Sequence, residues 1–349
     1  IMLGFSDGTK DGGYLTANWS ILKAKESLTK VSRKFGIKVL FFDGRGGPPA
    51  RGGGNTHQFY SSLGDFIESD EIQLTVQGQT ISSNFGTIKS SQYNMEQLIS
   101  SGIKNRILSN SEVFNKKNRK TIEKLSSISY SSYKDFKSHP SFIPYLEKMS
   151  TIKYYSKTNI GSRPSKRGVK GEEFNFDKLR AIPFVGSWNQ LKQNVPGFFG
   201  LGTSINYFYE KNRIKDVKLL YQEVPFFRAL VSNSMMSLTK SFFELTSYMS
   251  KDQEFGEFWK IIHDEYVLTK KMLLKISNFK ELMENEPANK LSIETRENIV
   301  MPLITIQRYA LQIVKEIESG DLKKTDKSVF EKIITRSLYG NINASRNSA

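Results

Sequence analysis

The chain has 349 residues, enough for one large domain or two ordinary ones, and its 38% apolar and 25% charged composition is typical of soluble globular proteins. No apolar run approaches the roughly 20 residues that cross a bilayer, and no basic leader precedes Ile1, so we expect neither a membrane protein nor a secretory signal. The absence of cysteine excludes disulfides and thiolate chemistry and favours the cytoplasm.

The net charge of +16, from 51 basic and 35 acidic side chains, allows three interpretations. Lysine and arginine could displace counterions from nucleic acid, but they are spread along helical segments and no zinc-finger or RNA-recognition signature accompanies them. A solvated basic surface, balanced by an acidic region outside this chain, is the preferred explanation. The same field would attract small anionic substrates.

Four short runs are apolar at nearly every position, as strands buried on both faces are. We predict strands at Ile1 to Phe5, Ile37 to Phe42, Ile72 to Val76 and Ala181 to Val185. Apolar residues from Trp19 to Val31 recur at roughly helical spacing, so the first two strands and this helix predict a βαβ unit. Four such strands would form half of an eight-stranded β/α barrel of the TIM type, whose ligands bind at the carboxyl ends of the strands. Asp7, Arg45 and Gln77 fall at those ends.

From about Met95 onward the pattern is mostly amphipathic helix, so the predicted fold is α/β but predominantly helical, a barrel half with extensive added helices. Predicted helices include Glu96 to Leu108, Val217 to Met249, Phe258 to Ile276 and Ile293 to Ile317. We expect a barrel-half region at 1–204, with active-site loops and a helical insertion near 95–155. Residues 205–349 are predicted to form an all-helical region.

Two stretches carry most of the chemistry. Asp7 follows the first strand, where its carboxylate could hold a hard cation such as magnesium or manganese or could cap the next helix, and spacing alone does not decide between the two. Arg45 lies between glycines after the second strand, and Arg51 follows in the same glycine-rich loop. An arginine fork binds phosphate or carboxylate at two points and keeps its charge.

These stretches resemble the carboxy-terminal half of the phosphoenolpyruvate carboxylase family, which carries G-Y-S-D-S-x-K-D-x-G and then F-H-G-R-G-G-x-x-x-R-G-G. The resemblance covers essentially the whole chain, in the family's order. It continues through Val76-Gln77-Gly78, Gly161 to Arg167, Leu179-Arg180-Ala181-Ile182-Pro183 and the final Arg346-Asn347-Ser348-Ala349.

The resemblance implies roles for individual residues. Asp7 corresponds to one of two carboxylates that bind the metal, Lys10 to the lysine beside it, and Met2 to a methionine lining the carbon dioxide pocket. Further catalytic and substrate-binding positions are Arg45, Arg51, Arg163, Arg180 and Gln77. The two arginines from the later blocks correspond to those that hold the phosphate and carboxylate of phosphoenolpyruvate.

The resemblance also implies an inhibitor site for aspartate or malate. Lys240, Arg296 and Asn347 correspond to its lysine, arginine and carboxy-terminal asparagine, and Arg51 contributes from the loop. Inhibitor binding would withdraw Arg51 and its loop from the active site, which is coupling between two sites.

The chain departs from the family at Asp43, which replaces the histidine of F-H-G-R-G-G. This anion could lower local affinity for anions, pair with a nearby arginine, or supply another ligand to the metal. These alternatives remain open, and Asp43 is retained as a catalytic candidate.

The resemblance predicts an enzyme that makes oxaloacetate and phosphate from phosphoenolpyruvate and bicarbonate with Mg²⁺ or Mn²⁺. The family's T-A-H-P-T block, its second metal carboxylate and another substrate arginine are missing from these 349 residues. We therefore expect the chain to be cut from a longer enzyme at its strand-like start and to keep the real carboxy terminus. We also expect it to be inactive alone and to act with the amino-terminal half of the same enzyme in a homotetramer. The competing hypothesis is a non-catalytic basic module that binds phosphate-rich partners. Another barrel lyase that uses phosphoenolpyruvate fits the motif order poorly.

Overall fold

A small parallel sheet forms the amino-terminal part of the structure. The computed structural model describes residues 1–76, 78–107, 114–155, 176, 178–320 and 326–345. Its three strands, in the order β1-β2-β3, are β1 (Met2–Gly4), β2 (Phe41–Gly44) and β3 (Ile72–Leu74). Asp43 lies opposite Leu3 on one side and Leu74 on the other. Because both pairings are parallel, the carboxyl ends of the strands share one edge, as the first three predicted strands required.

In the first part of the chain, the described residues form eight helices beside the sheet. They are α1 (Phe5–Gly12), α2 (Tyr14–Lys34), α3 (Thr56–Ser61), α4 (Gln79–Phe85), α5 (Ile88–Ile107), α6 (Lys116–Ser138), α7 (Phe142–Met149) and α8 (Ile152–Tyr155). Side-chain caps begin two of them: the Asn55 side chain accepts a hydrogen bond from the Gln58 amide, and that of Asn115 from the Asn118 amide. A short 3-10 helix, Pro49–Arg51, lies in the glycine-rich loop.

The remainder of the described chain is helical. Its elements are α9 (Ala181–Gln190), α10 (Leu201–Glu210), α11 (Ile214–Glu223), α12 (Pro225–Thr239), α13 (Gly256–Ser277), α14 (Pro287–Ser319) and α15 (Lys327–Ser345), with 3-10 helices at Val195–Gly197 and Phe243–Lys251. Proline stands at the first position of α12 and α14, and a left-handed Gly320 ends α14. With 74% helix, the predicted predominance of helix is confirmed.

The prediction of a fourth strand at Ala181 to Val185 was wrong, since these residues form the first turns of α9. A short run that is apolar throughout has no period, so it does not distinguish a buried strand from a buried helix. Most of α9 is buried, which explains the run. Pro183 is compatible with helix because it lies in the first turn, where a backbone N–H has no partner within the helix.

The predicted helix from Val217 to Met249 is also divided. It consists of α11, α12 and the 3-10 helix Phe243–Lys251, with Pro225 opening α12. The helices predicted at 258–276 and 293–317 are confirmed within α13 and α14, and the one at 96–108 within α5 up to residue 107.

The main hydrophobic core lies under the sheet and the central helices. It unites Phe5 and Trp19 from the first helices with Phe226 of α12 and Met272 of α13. The predicted boundary between residues 204 and 205 falls inside α10. A second cluster surrounds Trp188, and a third joins α8 to α14 and α15. In the described part of the chain, the helices are too short or too polar to span a membrane.

Candidate active site and inhibitor pocket

Asp7 stands just past the carboxyl end of β1. It lies in the first turn of α1 and its side chain is exposed. Gly4 occupies the N-cap position of α1, and Asp7 lies in the first turn, where a carboxylate interacts favourably with the helix N-terminus, so both alternatives for Asp7 stay open. The negative charge of Asp7 acts to raise the pKa of Arg51. Asp7, just past the end of β1, and the glycine-rich loop therefore interact electrostatically.

Lys10 lies in the last turn of α1 and is buried. Its ammonium is 3.5 Å from the Asp11 carboxylate and 4.7 Å from the centre of the Phe176 ring. The hydroxyl of Tyr133 donates a hydrogen bond to the Lys10 carbonyl. The lysine is thus held on the side of α1 that faces α6 and Phe176.

The glycine-rich loop packs against the core instead of extending into solvent. Gly52 and Gly54 have φ of 79° and 88°, a region that favours glycine. A Cβ on Gly53 would lie 1.8 Å from the Gly47 carbonyl oxygen. The loop therefore needs glycine for close backbone approach, and it presents its two arginines from a fixed frame.

Arg45 immediately follows β2 and is only 4% exposed. Its guanidinium carbon lies 4.5 Å from the centre of the Phe59 ring, 5.2 Å from that of Tyr60 and 5.7 Å from that of Phe5. The Nε atom donates to the Gly52 carbonyl, and Nη1 has no hydrogen-bond partner among the described residues. The structure thus holds a buried cation with one unused donor at the carboxyl edge of the sheet.

Arg51 is the second buried cation of the loop, with 2% exposure. Its Nε donates to the Ser6 hydroxyl at 3.3 Å. Burial lowers the pKa of Arg51 to about 10, while the nearby Tyr155 and Asp7 oppose that change. At neutral pH Arg51 therefore remains charged.

Asp43 is 1% exposed and forms an ion pair that the sequence did not suggest. Its Oδ2 lies 2.7 Å from the Lys25 ammonium of α2 and accepts a hydrogen bond from the Tyr60 hydroxyl, also at 2.7 Å. Of the three alternatives for Asp43, pairing with a cation is the one that the structure resembles, and the cation in the ion pair is a lysine instead of an arginine. Lys25 and Tyr60 are the residues that sequence reasoning missed.

The other predicted substrate residues are only partly described. Arg180 is the N-cap residue of α9, and its buried Nε has no hydrogen-bond partner among the described residues. Met2 is 68% exposed, with its terminal methyl against Gly44. Gln77, Arg163 and Asn347 lie outside the described residues.

Lys240 and Arg296 line the same small pocket, together with the ion pair of Lys192 and Glu297, whose charged atoms are 2.6 Å apart. Ser345, at the end of α15, lines it too. Burial lowers the pKa of Lys240 to about 8, and the neighbouring Arg296 and Lys192 charges act in the same direction. The pocket thus concentrates positive charge.

A second small pocket shares Lys240 with the first. This second pocket is also lined by Pro48, Pro49 and Ala50, the residues that directly precede Arg51. Lys240 therefore lines both the basic pocket and a pocket bounded by the glycine-rich loop.

The sequence model of the family described as phosphoenolpyruvate carboxylase matches residues 1–344 of the 349 residues. The chain belongs to the phosphoenolpyruvate carboxylase family. This is a family of carboxy-lyases that fix carbon, and the resemblance drawn from the sequence blocks is confirmed.

Phosphoenolpyruvate carboxylases generally use a divalent metal, and the described residues show no site for one. They contain no group of three histidine, aspartate or glutamate side chains that could hold a metal ion. Asp7 is exposed at the strand edge, whereas Asp43 is buried against Lys25. The described residues therefore do not complete a magnesium or manganese site, and the third alternative for Asp43, an extra metal ligand, gains no support.

Proposed function

We propose that this chain is the carboxy-terminal part of an enzyme that carboxylates phosphoenolpyruvate with bicarbonate, giving oxaloacetate and phosphate. The observation that carries the proposal is the family match over residues 1–344, which covers every site position named from the sequence except Asn347. The position of Arg45 and Arg51 at the carboxyl edge of a parallel sheet supports it.

In the proposed reaction, a bicarbonate oxygen attacks the phosphorus of phosphoenolpyruvate and the bond between phosphorus and the enol oxygen breaks. The products are carboxyphosphate and the enolate of pyruvate. Carboxyphosphate then releases carbon dioxide and phosphate, and the enolate carbon forms a bond to carbon dioxide. Negative charge moves from phosphate to enolate, so fixed cations at both places lower the barrier.

We assign the anion-binding roles to the arginines of the chain. Arg180, with Arg163, would hold the phosphate and carboxylate of the substrate. Arg45 and Arg51 would stabilise carboxyphosphate and the enolate and exclude water, because protonation of the enolate gives pyruvate instead of oxaloacetate. Met2 and Gln77 would line the substrate site, and Lys10 would hold the strand edge beside Asp7.

We further propose that Asp7 shares Mg²⁺ or Mn²⁺ with a carboxylate from the amino-terminal half of the same enzyme. The metal would supply Lewis-acid stabilisation of the substrate's negative charge. The three strands would be part of the carboxy-terminal half of a TIM-type barrel that the other half closes. On this basis the 349-residue chain is inactive alone, and the working assembly is a cytoplasmic homotetramer.

The basic pocket is proposed as the inhibitor site for aspartate or malate. Lys240 and Arg296 would bind the two carboxylates with Asn347, and Arg51 would be drawn toward the pocket with its loop. The shared Lys240 wall between the pocket and residues 48–50 supports this coupling.

The test is fixation of labelled bicarbonate into oxaloacetate by the native-length gene product, with phosphoenolpyruvate and magnesium. Metal-dependent fixation by that protein, and none by the 349-residue chain, is expected. Fixation by the short chain would refute its predicted inactivity. A folded native-length protein that fixes nothing would refute the enzyme itself. The alternative of a non-catalytic basic module drew its support from Asp43, and the ion pair with Lys25 accounts for that residue without it.

A further inference from the structure

Lys25 is a buried lysine that none of the sequence motifs includes. It lies on the core side of α2 with 2% side-chain exposure, and its ammonium is 5.2 Å from the centre of the Phe41 ring and 5.9 Å from that of Tyr60. Its ion-pair partner is Asp43, at 2.7 Å. A charge in such surroundings is retained only when it is paired, so Lys25 depends on Asp43.

Asp43 has a second cation close by, because Arg45 is two residues along the chain and shares the Tyr60 ring with Lys25. The Arg45 backbone N–H already donates to the Asp43 carbonyl at 2.9 Å. Arg45 Nη1 and Asp43 Oδ1 are both buried, and neither has a hydrogen-bond partner among the described residues. A free carboxylate at this position would attract the guanidinium of Arg45 strongly.

We propose that Lys25 is a positioning residue that neutralises Asp43 and thereby leaves Arg45 available for the reacting anions. The inference rests on the proposed carboxylation. Lys25 and Asp43 form one unit: the aspartate replaces the histidine of the family motif, and the lysine cancels the charge that this replacement introduces. Tyr60 fixes the carboxylate by donating to the same oxygen that Lys25 binds.

A positioning role for Lys25 and a purely structural role predict different reaction products when the charge of Lys25 is removed. Without the Lys25 charge, Asp43 pairs with Arg45 and the guanidinium is lost to the carboxylation step, although phosphate can still leave the substrate. The enolate then takes a proton and ends as pyruvate. Structural damage instead lowers phosphate release and oxaloacetate formation together.

The experiment measures phosphate, oxaloacetate and pyruvate from phosphoenolpyruvate, bicarbonate and magnesium with the native-length protein. The variants are Lys25→Met, Lys25→Gln, Lys25→Arg and Lys25→Met/Asp43→Asn, and Lys30→Met is the control, an exposed lysine on the same helix. Lys25→Gln keeps a hydrogen-bond donor without the charge, and it replaces Lys25→Met where the latter does not fold.

We expect the ratio of pyruvate to oxaloacetate to rise about tenfold or more in Lys25→Met and Lys25→Gln. The ratio should return close to that of the unsubstituted protein in the double variant, which removes both charges, and stay there in Lys25→Arg and Lys30→Met. An unchanged ratio in every folded variant would overturn the positioning role. If the unsubstituted protein makes none of the three products, the proposed function fails first and the inference falls with it.

Discussion

Replacing Lys240 with methionine should stabilise the protein at neutral pH, although it removes a residue of the proposed inhibitor site. Burial lowers the pKa of Lys240 from 10.5 to about 8, which corresponds to about 3 kcal/mol of unfavourable free energy at about 1.36 kcal/mol per pH unit. Lys240 keeps partial contact with water, so screening reduces this to about 1–2 kcal/mol. Methionine fills a similar space without the charge.

The pH dependence separates this effect from ordinary repacking. Below pH 8 the lysine holds its proton in the folded and unfolded chains alike, and the unfavourable free energy is fully present. Between pH 8 and 10.5 only the unfolded chain holds the proton, so the stability of the lysine form rises with pH. The advantage of methionine should therefore shrink by about 1 kcal/mol between pH 7 and pH 9.5.

Urea unfolding of the wild type, Lys240→Met and the exposed control Lys30→Met at those two pH values measures the difference. A stability gap between the first two proteins that is the same at both pH values would refute the assignment of a lowered pKa to Lys240. In the native-length enzyme, inhibition by aspartate should weaken as pH rises through about 8, because the Lys240 ammonium proposed to bind the carboxylate loses its proton. Lys240→Met should lose that pH dependence together with most of the inhibition.

Three further variants test the packing that holds the sites. Gly53→Ala should lower the free energy of unfolding by about 1–3 kcal/mol, because the new Cβ would overlap the Gly47 carbonyl oxygen. Urea unfolding measures this, and an unchanged urea midpoint would contradict the close backbone approach in the glycine-rich loop. Glu265→Ala should lower the free energy of unfolding by about 2–4 kcal/mol, because the buried carboxylate accepts hydrogen bonds from the amide and hydroxyl of Thr203 at the start of α10. Amide hydrogen exchange should show that α10 opens first in this variant. Phe136→Ala should lower the free energy of unfolding by about 3–5 kcal/mol, because the Phe136 ring stacks on two other phenylalanine rings. If calorimetry shows that the free energy of unfolding falls by less than about 1 kcal/mol, the neighbouring side chains have moved to fill the cavity.

The sequence predicted the parallel strands because each is short, apolar and followed by glycine or a polar turn. It failed at residues 181–185 because a buried helix can be equally apolar. The helix-compatible position of Pro183, in the first turn, becomes clear only when the start of α9 is known. The same kind of apolar run therefore gave three strands and the start of one helix, and the run alone did not distinguish them.

The Lys25 and Asp43 pair shows the corresponding limit for the site. Leu22, Lys25 and Thr29 follow one another at helical spacing on the buried side of α2, so a lysine in that stripe was a visible anomaly. Its partner was not visible, because the contact depends on the register of β2 against the helix. Two signals taken together would have predicted the ion pair: a lysine in the buried stripe of α2 and an acid in place of the family's histidine.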